Sequence, residues 1–254
     1  MNPLTLTLRA GATRLRLHLG AFVLVLLLNP CLAQSKAAEP NSEVRILFIG
    51  NSFTSYHDLP KMVADLAEAG GQRPVRYESQ TPGGYTLEQH WKDRKALPRI
   101  QSGRWDFVVL QDQSEAPILR RDAMFEYGKK FDAEIKKQRA KTILYETWAL
   151  QNKPDQQTAI SKAYEGLSKE LNARLAPVGN AWQTALGSDK KLVLHDTDQK
   201  HPNAAGTYLA ACVFYATIYS KSPEGLPGRI GGLSNDEAQR LQAIAWKSVQ
   251  TAGK

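Results

Sequence analysis

Short apolar runs that alternate with helical patterns are the feature of this sequence that most constrains its fold. The runs within Val44–Gly50 and Asp106–Gln111 are apolar and rich in β-branched residues, as in strands buried on both faces. Briefer runs lie at Val75–Glu78 and Thr142–Tyr145, and Pro177–Gly179 could form a minimal fifth strand at the sheet edge. We therefore predict five strands separated by helices.

Amphipathic helices are predicted between these runs, because apolar residues recur there at three- and four-residue spacing. The predicted helices are Leu59–Ala69, one that begins near Thr86, Arg121–Arg139, Asp155–Leu175, a short one at Ala181–Leu186, Asn203–Tyr219 and Asn235–Thr251. The spacing from Thr86 to Gln89 fits a capping box. This alternation predicts the α/β class: a three-layer α/β/α sandwich with a mainly parallel five-stranded sheet.

The amino terminus has the organisation of a secretory signal peptide. Arginines at positions 9, 14 and 16 precede the apolar stretch Ala21–Leu28, and a small-residue cleavage site ends at Ala33. That stretch is too short to span a bilayer comfortably, although a signal anchor is the alternative. We expect a signal peptide at residues 1–33, a flexible lead-in at 34–43 and one domain at 44–254. The mature protein would then be periplasmic or secreted, with no stable membrane span.

Charge and cysteine content narrow the classes of partner. The formal net charge of +8 over 254 residues falls to +5 when residues 1–33 are removed, because they hold three of the 33 basic residues and none of the 25 acidic ones. The remaining basic residues are scattered, so we expect no nucleic-acid partner. Loss of Cys31 leaves Cys212 without a disulfide partner, and its apolar surroundings predict a buried thiol.

Polar residues follow the predicted strands at the edge where α/β sheets bind ligands. Asn51 and Ser52 follow the first strand, and the block Gln111–Ser114 follows the third. A serine at this edge can be a nucleophile, but Asn-Ser after a strand more often forms a turn or a helix cap. On these residues alone the turn is the favoured interpretation.

A second polar cluster, Asp196–Pro202, precedes the predicted helix at Asn203. Asp198 can fold back onto the imidazole of His201 and orient it as a base, although an Asp-x-x-His loop could also bind a metal or simply be solvated. His195 with Asp196 is an alternative pair. The histidines are dispersed and form no metal-ligand pattern, so we expect no metal and no cofactor.

Four blocks together resemble the SGNH (GDSL-type) hydrolase superfamily. They are G-N-S-F at Gly50–Phe53, the Gly83-Gly84 loop, L-Q-D-Q-S at Leu110–Ser114, and D-x-x-H-P at Asp198–Pro202. The stretch His201–Ala211 also resembles a bacterial branch of exported SGNH-like proteins. The blocks cover most of the mature chain in the order that the superfamily has, and the superfamily has the flavodoxin-like sandwich predicted above.

The resemblance implies a catalytic triad and an oxyanion hole. Ser52 would be the nucleophile, His201 the base and Asp198 the orienting acid. The amides of Ser52 and Gly84 would donate to the oxyanion, together with a side-chain amide of the third block. The chain lacks the usual Gly-x-Asn-Asp there, so that donor would be Gln113 or, as the less favoured alternative, Gln111.

The expected function is an exported serine esterase that removes a short acyl group, with an acetylated glycan as the candidate substrate. Asn51, Tyr85 and Trp148 are candidate substrate-lining residues, whereas core packing is at least as good an interpretation of His90 and Trp91. The alternatives are a lipase or thioesterase acting on lipidic esters, and a glycan-binding protein that has lost turnover. No feature of the sequence points to a particular oligomeric state.

Overall fold

The structure of the protein is a computed structural model that describes Thr7 and residues 43–252. The predicted signal peptide lies outside the described residues apart from Thr7, and so does the predicted lead-in apart from Glu43. No helix in the described part of the chain has the length and apolar character needed to cross a membrane.

β1 (Val44–Ile49) lies inside a sheet and buries both of its faces. Its neighbours are β2 (Val75–Gln80) and β3 (Phe107–Leu110), and the sheet continues through β4 (Lys141–Tyr145) to β5 (Arg174–Ala176). The strand order is β2-β1-β3-β4-β5, and every neighbouring pair is parallel. The predicted fold class is thus confirmed, with the strand order of flavodoxin-like sheets.

Ten α-helices accompany these strands within residues 43–252, together with short 3₁₀ turns at Tyr56–Asp58, Pro154–Gln156 and Gly228–Gly231. In chain order they are α1 (Ser52–Ser55), α2 (Leu59–Ala69), α3 (Leu87–Asp93), α4 (Ala96–Ser102), α5 (Ala116–Leu119), α6 (Arg121–Lys137), α7 (Gln157–Leu171), α8 (Val178–Ser188), α9 (Ala204–Tyr219) and α10 (Asn235–Thr251). The predicted capping box forms at the start of α3, where the Gln89 amide donates to Thr86 Oγ1.

Two hydrophobic cores lie on opposite faces of the sheet, because successive side chains of a strand point in opposite directions. Ile46 and Phe48 of β1 pack with α2, α8, α9 and α10. Leu47 and Ile49 pack with α3, α4, α6 and α7 on the other face. α9 is buried almost all round, with Cys212 at its centre, and therefore lacks the one-sided pattern of a surface helix.

The fifth strand was predicted at the wrong residues. The predicted strand Pro177–Gly179 is instead the beginning of α8, and the strand is Arg174–Ala176. The helix predicted to reach Leu175 ends at Leu171, because Asn172 adopts a left-handed conformation (φ 47°) that stops it. The short helix predicted at Ala181–Leu186 is correspondingly longer, Val178–Ser188.

Candidate active site

The carboxyl end of β1 positions Ser52 at the first residue of α1. Asn51 caps this helix, because its side-chain oxygen accepts the Phe53 amide at 3.0 Å. Gly50 is required just before it, since a Cβ there would lie 2.5 Å from the side-chain oxygen of Gln111. The half-buried serine is therefore held at a helix start on the sheet edge where ligands bind in this class of fold.

A closed loop between Leu194 and α9 carries the acid and the base. The Asp196 amide donates to the His201 carbonyl at 2.8 Å, and a bridge joins His195 to Pro202. Within this loop, Asp198 Oδ1 accepts the amides of Lys200 and His201 at 3.0 and 2.9 Å. These bonds fold the carboxylate back onto the imidazole, so that Asp198 Oδ2 meets His201 Nδ1.

The other ring nitrogen of His201 faces the serine. His201 Nε2 lies 2.8 Å from Ser52 Oγ, although the two residues are 149 positions apart in the chain. With Nδ1 bound to the carboxylate, the hydrogen-bond network assigns the proton to Nδ1 and leaves Nε2 as the acceptor for the serine hydroxyl. The structure thus brings together Ser52, His201 and Asp198 as nucleophile, base and orienting acid would be arranged.

Aromatic rings fix the plane of the imidazole. Tyr56 stacks on His201 with a centroid distance of 4.1 Å and an interplanar angle of 8°, and Phe53 meets its edge at 5.6 Å.

The Asp198 carboxylate stays ionised beside the imidazole. Desolvation acts to raise the pKa of Asp198, but the hydrogen bonds from the His201 ring and from the His201 and Lys200 amides outweigh it and lower the pKa to about 2.

The two backbone amides of the predicted oxyanion hole have no hydrogen-bond partner in the described part of the chain. Neither the Ser52 amide nor the Gly84 amide donates to another protein atom within residues 43–252. Gly84 has φ of +71°, and no atom lies within 4 Å of where a Cβ would stand, so this part of the loop is open. A left-handed conformation favours glycine, which explains the residue type at this position.

The two glutamines of the third block have different surroundings. Gln111 is fully buried, and its side-chain oxygen accepts the Asn51 amide and the Thr54 hydroxyl, both at 2.9 Å. Gln113 is half-buried, with Nε2 3.0 Å from Ser114 Oγ and Oε1 accepting the Glu115 amide at 2.9 Å. Gln111 therefore supports the serine segment. The donor role of Gln113 stays a prediction, because the side-chain bonds described for it run along its own segment.

Asp112 is a residue of this site that sequence reasoning missed. Its side chain is buried, and Oδ1 accepts the amide of Leu87 at 3.1 Å and that of Gln113 at 2.7 Å. It thereby ties the third block to the start of α3, just after the Gly84 loop. Burial raises the pKa of Asp112 to about 6, against the lowering effect of these two hydrogen bonds. The feature of the sequence that could have indicated this role is the position of Asp112 between two glutamines at the end of a strand.

The three predicted substrate-lining residues are placed differently. Tyr85 is half-buried and meets His90 edge to face at 5.2 Å. Asn51 and Trp148 are 2% and 1% exposed, so each presents very little surface to a ligand, and their substrate-lining role stays a prediction. Asn51 donates from Nδ2 to the Tyr85 carbonyl at 2.9 Å, and Trp148 is stacked between Phe53 and Trp182. Both are buried because they connect the segments that carry the site.

The remaining histidines of the sequence analysis are buried structural residues. His195 Nε2 bonds to the Ala149 carbonyl at 3.0 Å, and Asp196 accepts the Thr197 amide, so these two do not form an acid–base pair. His90 Nε2 bonds to the Gly50 carbonyl at 2.7 Å. Burial lowers the pKa of both imidazoles, which favours their neutral forms. Among the described residues, no group of three or more His, Cys, Asp or Glu side chains could hold a metal ion.

Solved structures that resemble this chain include SGNH hydrolases. A DUF4886 family protein from Bacteroides uniformis is 18% identical, with a TM-score of 0.68 over 84% of this chain and 97% of its own. A candidate SGNH hydrolase from Slackia heliotrinireducens is 26% identical, with a TM-score of 0.58 over 70% of this chain and all of its own. An acetyl-xylooligosaccharide esterase from Geobacillus is 19% identical, with a TM-score of 0.57 over 70% of this chain and 95% of its own.

These likenesses define the class of fold. The chain has the fold of the SGNH hydrolases, so the resemblance drawn from its sequence is confirmed at that level. No protein-family model matches the sequence, and no curated protein matches it.

Proposed function

We propose that this protein is an exported serine esterase that hydrolyses short acyl esters, with acetylated carbohydrates as its substrates. The observation that carries the proposal is the 2.8 Å contact between Ser52 Oγ and His201 Nε2, with Asp198 bound to the opposite ring nitrogen. A serine hydroxyl is a weak nucleophile until such a base accepts its proton.

The reaction would proceed through an acyl-enzyme. Ser52 Oγ attacks the ester carbonyl while its proton passes to His201 Nε2, and the negative charge moves to the carbonyl oxygen. Free amides of Ser52 and Gly84 can stabilise that charge as it develops. The intermediate then expels the alcohol, which takes the proton from Nε2. Water next attacks the acyl-enzyme and gives its proton to Nε2. When the second intermediate collapses, the acid is released and Ser52 Oγ takes the proton back.

The carbohydrate part of the proposal has separate support. Two of the similar structures are described as an acetyl-xylooligosaccharide esterase and an acetyl xylan esterase. Export, which is inferred from residues 1–33, would bring the enzyme to where polysaccharides occur. Protein recovered outside the cytoplasm should begin at Gln34, as amino-terminal sequencing can determine. Recovery of an intact Met1 would contradict export by signal cleavage.

Ser52→Ala tests the nucleophile. We expect kcat for p-nitrophenyl acetate to fall about 10³-fold or more, because the triad acts as a unit. Ser55→Ala is the matched control, since Ser55 is an exposed serine at the end of the same helix. It should keep wild-type kcat. A serine-directed phosphonate should label Ser52, as mass spectrometry of the peptides can establish.

Acyl chain length separates the candidate functions. An esterase of short acyl groups should prefer acetate to octanoate in a series of p-nitrophenyl esters, whereas a lipase or thioesterase should show the reverse order. Turnover of no ester, together with saturable binding of acetylated xylo-oligosaccharides, would instead identify a glycan-binding protein. Activity of Ser52→Ala within about tenfold of wild type would place the nucleophile elsewhere.

A further inference from the structure

A cavity of about 280 Å³ lies outside the Ser52–His201 site. It lies between α8, the segment that joins α8 to the Asp196–Pro202 loop, and the segment that follows β4, and it is open to solvent on one side. Trp182, Leu186, Leu192 and Leu194 form much of its apolar wall. Ser52, Asp198 and His201 do not line it. We call it the α8 cavity.

Exposed side chains of both kinds line the α8 cavity: Val193 is apolar, whereas Gln151, Gln183 and Lys190 are polar. Val193 lines it with 54% of its surface exposed, and only one other large apolar side chain of residues 43–252, Leu119, is as exposed. An exposed apolar side chain beside the apolar wall of the cavity favours an apolar occupant, because burial of both surfaces releases water.

The polar groups at the cavity favour an anion. Lys190 lines it and forms no salt bridge within residues 43–252, while the lining contains no Asp or Glu.

We infer that the α8 cavity is a second binding site, for a small amphipathic carboxylate. The hydrocarbon portion would pack against Trp182, Leu186 and Leu192, and the carboxylate would lie near Lys190. A chain of about eight carbons suits a cavity near the lower limit of ligand-site volumes. This inference goes beyond the proposed esterase reaction and does not depend on it.

Titration calorimetry with sodium octanoate tests the site. Wild-type protein should bind one octanoate saturably, and 1-octanol, which lacks the charge, should bind about tenfold more weakly. The titration is repeated after treatment with a serine-directed phosphonate. Unchanged octanoate binding is expected, because the ligand does not occupy the serine site. Loss of binding after that treatment would show that octanoate sits at Ser52 and would overturn the inference.

Two matched pairs of variants locate the ligand. Lys190→Glu should raise the Kd for octanoate about tenfold, whereas Lys191→Glu, an exposed lysine outside the lining, should change it less than about twofold. Gly187→Phe should abolish octanoate binding, because the added ring would fill the opening of the α8 cavity. A Cβ on Gly187 meets no atom within 4 Å, and the residue lies in a helix, so the fold should accept the ring.

Gly187→Ala adds one methyl group at the same position and should keep Kd within about threefold of wild type. Wild-type affinity in Gly187→Phe would overturn the inference. Equal weakening by Lys190→Glu and Lys191→Glu would also overturn it, because that result would mean general electrostatic attraction to a basic surface. A failure of the esterase proposal would leave these titrations unaffected, since none of them measures turnover.

Discussion

The His201 imidazole is held from three sides, and the chemistry proposed here depends on that restraint. Asp198 fixes Nδ1, Tyr56 lies flat against one face, and Phe53 meets the edge. An orienting carboxylate and packed neighbours keep Nε2 directed at the serine before any substrate binds. Such preorganisation is a main source of catalytic power, because little reorganisation remains for the moment of reaction.

Gln113→Ala tests the third oxyanion donor. If its side-chain amide reaches the oxyanion, kcat should fall about 10²–10³-fold while KM changes little, because the bond strengthens only as the charge develops. The measurement is steady-state kinetics with p-nitrophenyl acetate.

Gln111→Ala is the control for this donor. It leaves the buried Asn51 amide and the Thr54 hydroxyl without their acceptor, so it should cost about 1–3 kcal/mol of unfolding free energy. Wild-type kcat in Gln113→Ala would mean that the two backbone amides suffice. A kinetic defect confined to Gln111→Ala would move the donor two residues upstream.

Glu146 makes stability depend on pH. Burial raises the pKa of Glu146 to about 8, against the lowering effect of hydrogen bonds from Ser161, the Asn180 amide and Gln157. The unfolded chain ionises near the ordinary value of 4.5, whereas the folded chain keeps its proton until about pH 8. Glu146 therefore lowers the free energy of unfolding progressively as pH rises from about 4.5 to 8.

Glu146→Gln removes that dependence, because the amide keeps an oxygen acceptor and cannot ionise. Relative to wild type, the variant should gain on the order of 3 kcal/mol of unfolding free energy between pH 5 and pH 9. Urea denaturation at the two pH values measures the difference. Parallel pH profiles for the two proteins would mean that Glu146 ionises normally in the folded state.

At the residue scale, the sequence predicted that Ser52, Asp198 and His201 would lie together but missed some of the residues that support them. Ser52, Asp198 and His201 stand in recognisable blocks, so their convergence could be expected. Asp112 could not be separated from an ordinary surface carboxylate, because its role depends on burial against the α3 amide of Leu87. The role of such a residue depends on contacts between segments that are distant in the chain, and a local sequence pattern does not reveal those contacts.

At the scale of elements, the turn Tyr56–Asp58 is strained. His57 and Asp58 both adopt left-handed conformations, with φ of 49° and 48°, and neither is glycine. Each such residue costs roughly 1–2 kcal/mol. His57 is exposed, and the turn places the neighbouring Tyr56 ring on the His201 imidazole. Strain next to a site often persists because the geometry serves function.

His57→Gly tests this interpretation of the turn. The variant should be about 1 kcal/mol more stable to urea than His57→Ala, because both lose the imidazole but only glycine relieves the left-handed conformation. Its kcat should nevertheless fall below that of wild type as Tyr56 becomes less restrained. Equal stabilities of the glycine and alanine variants would mean that the turn carries no such strain.

Long elements were easier to predict than short ones. α2 and α10 have the predicted bounds, since each is long and periodic and ends at clear turn or capping residues. β5 has three residues, and α4 between Ala96 and Ser102 was missed altogether. Apolar residues continue past Leu171 at spacings that fit either a helix or a strand, and the left-handed Asn172 decides between them.

At the scale of the whole molecule, the sheet explains why residues so far apart meet. All five strands are parallel, so the segments that follow them reach the same edge. β1 lies beside β3, which brings the Ser52 segment against the third block, and the loop before α9 reaches the Ser52 segment. The alternation of strands and helices was enough to predict this edge, whereas the α8 cavity depends on packing that no motif reports.

The buried thiol of Cys212 provides a direct measure of how often the molecule opens. It is 0% exposed in the middle of α9, and burial raises the pKa of the thiol, so a thiol reagent cannot modify it in the native state. In a Cys31→Ser variant, the modification rate in plain buffer should therefore follow the population of open molecules. The Glu146→Gln change should slow the modification of Cys212 at pH 9, because it raises the free energy of unfolding at that pH. Modification as fast as that of an unstructured peptide would mean that α9 detaches while the rest stays folded.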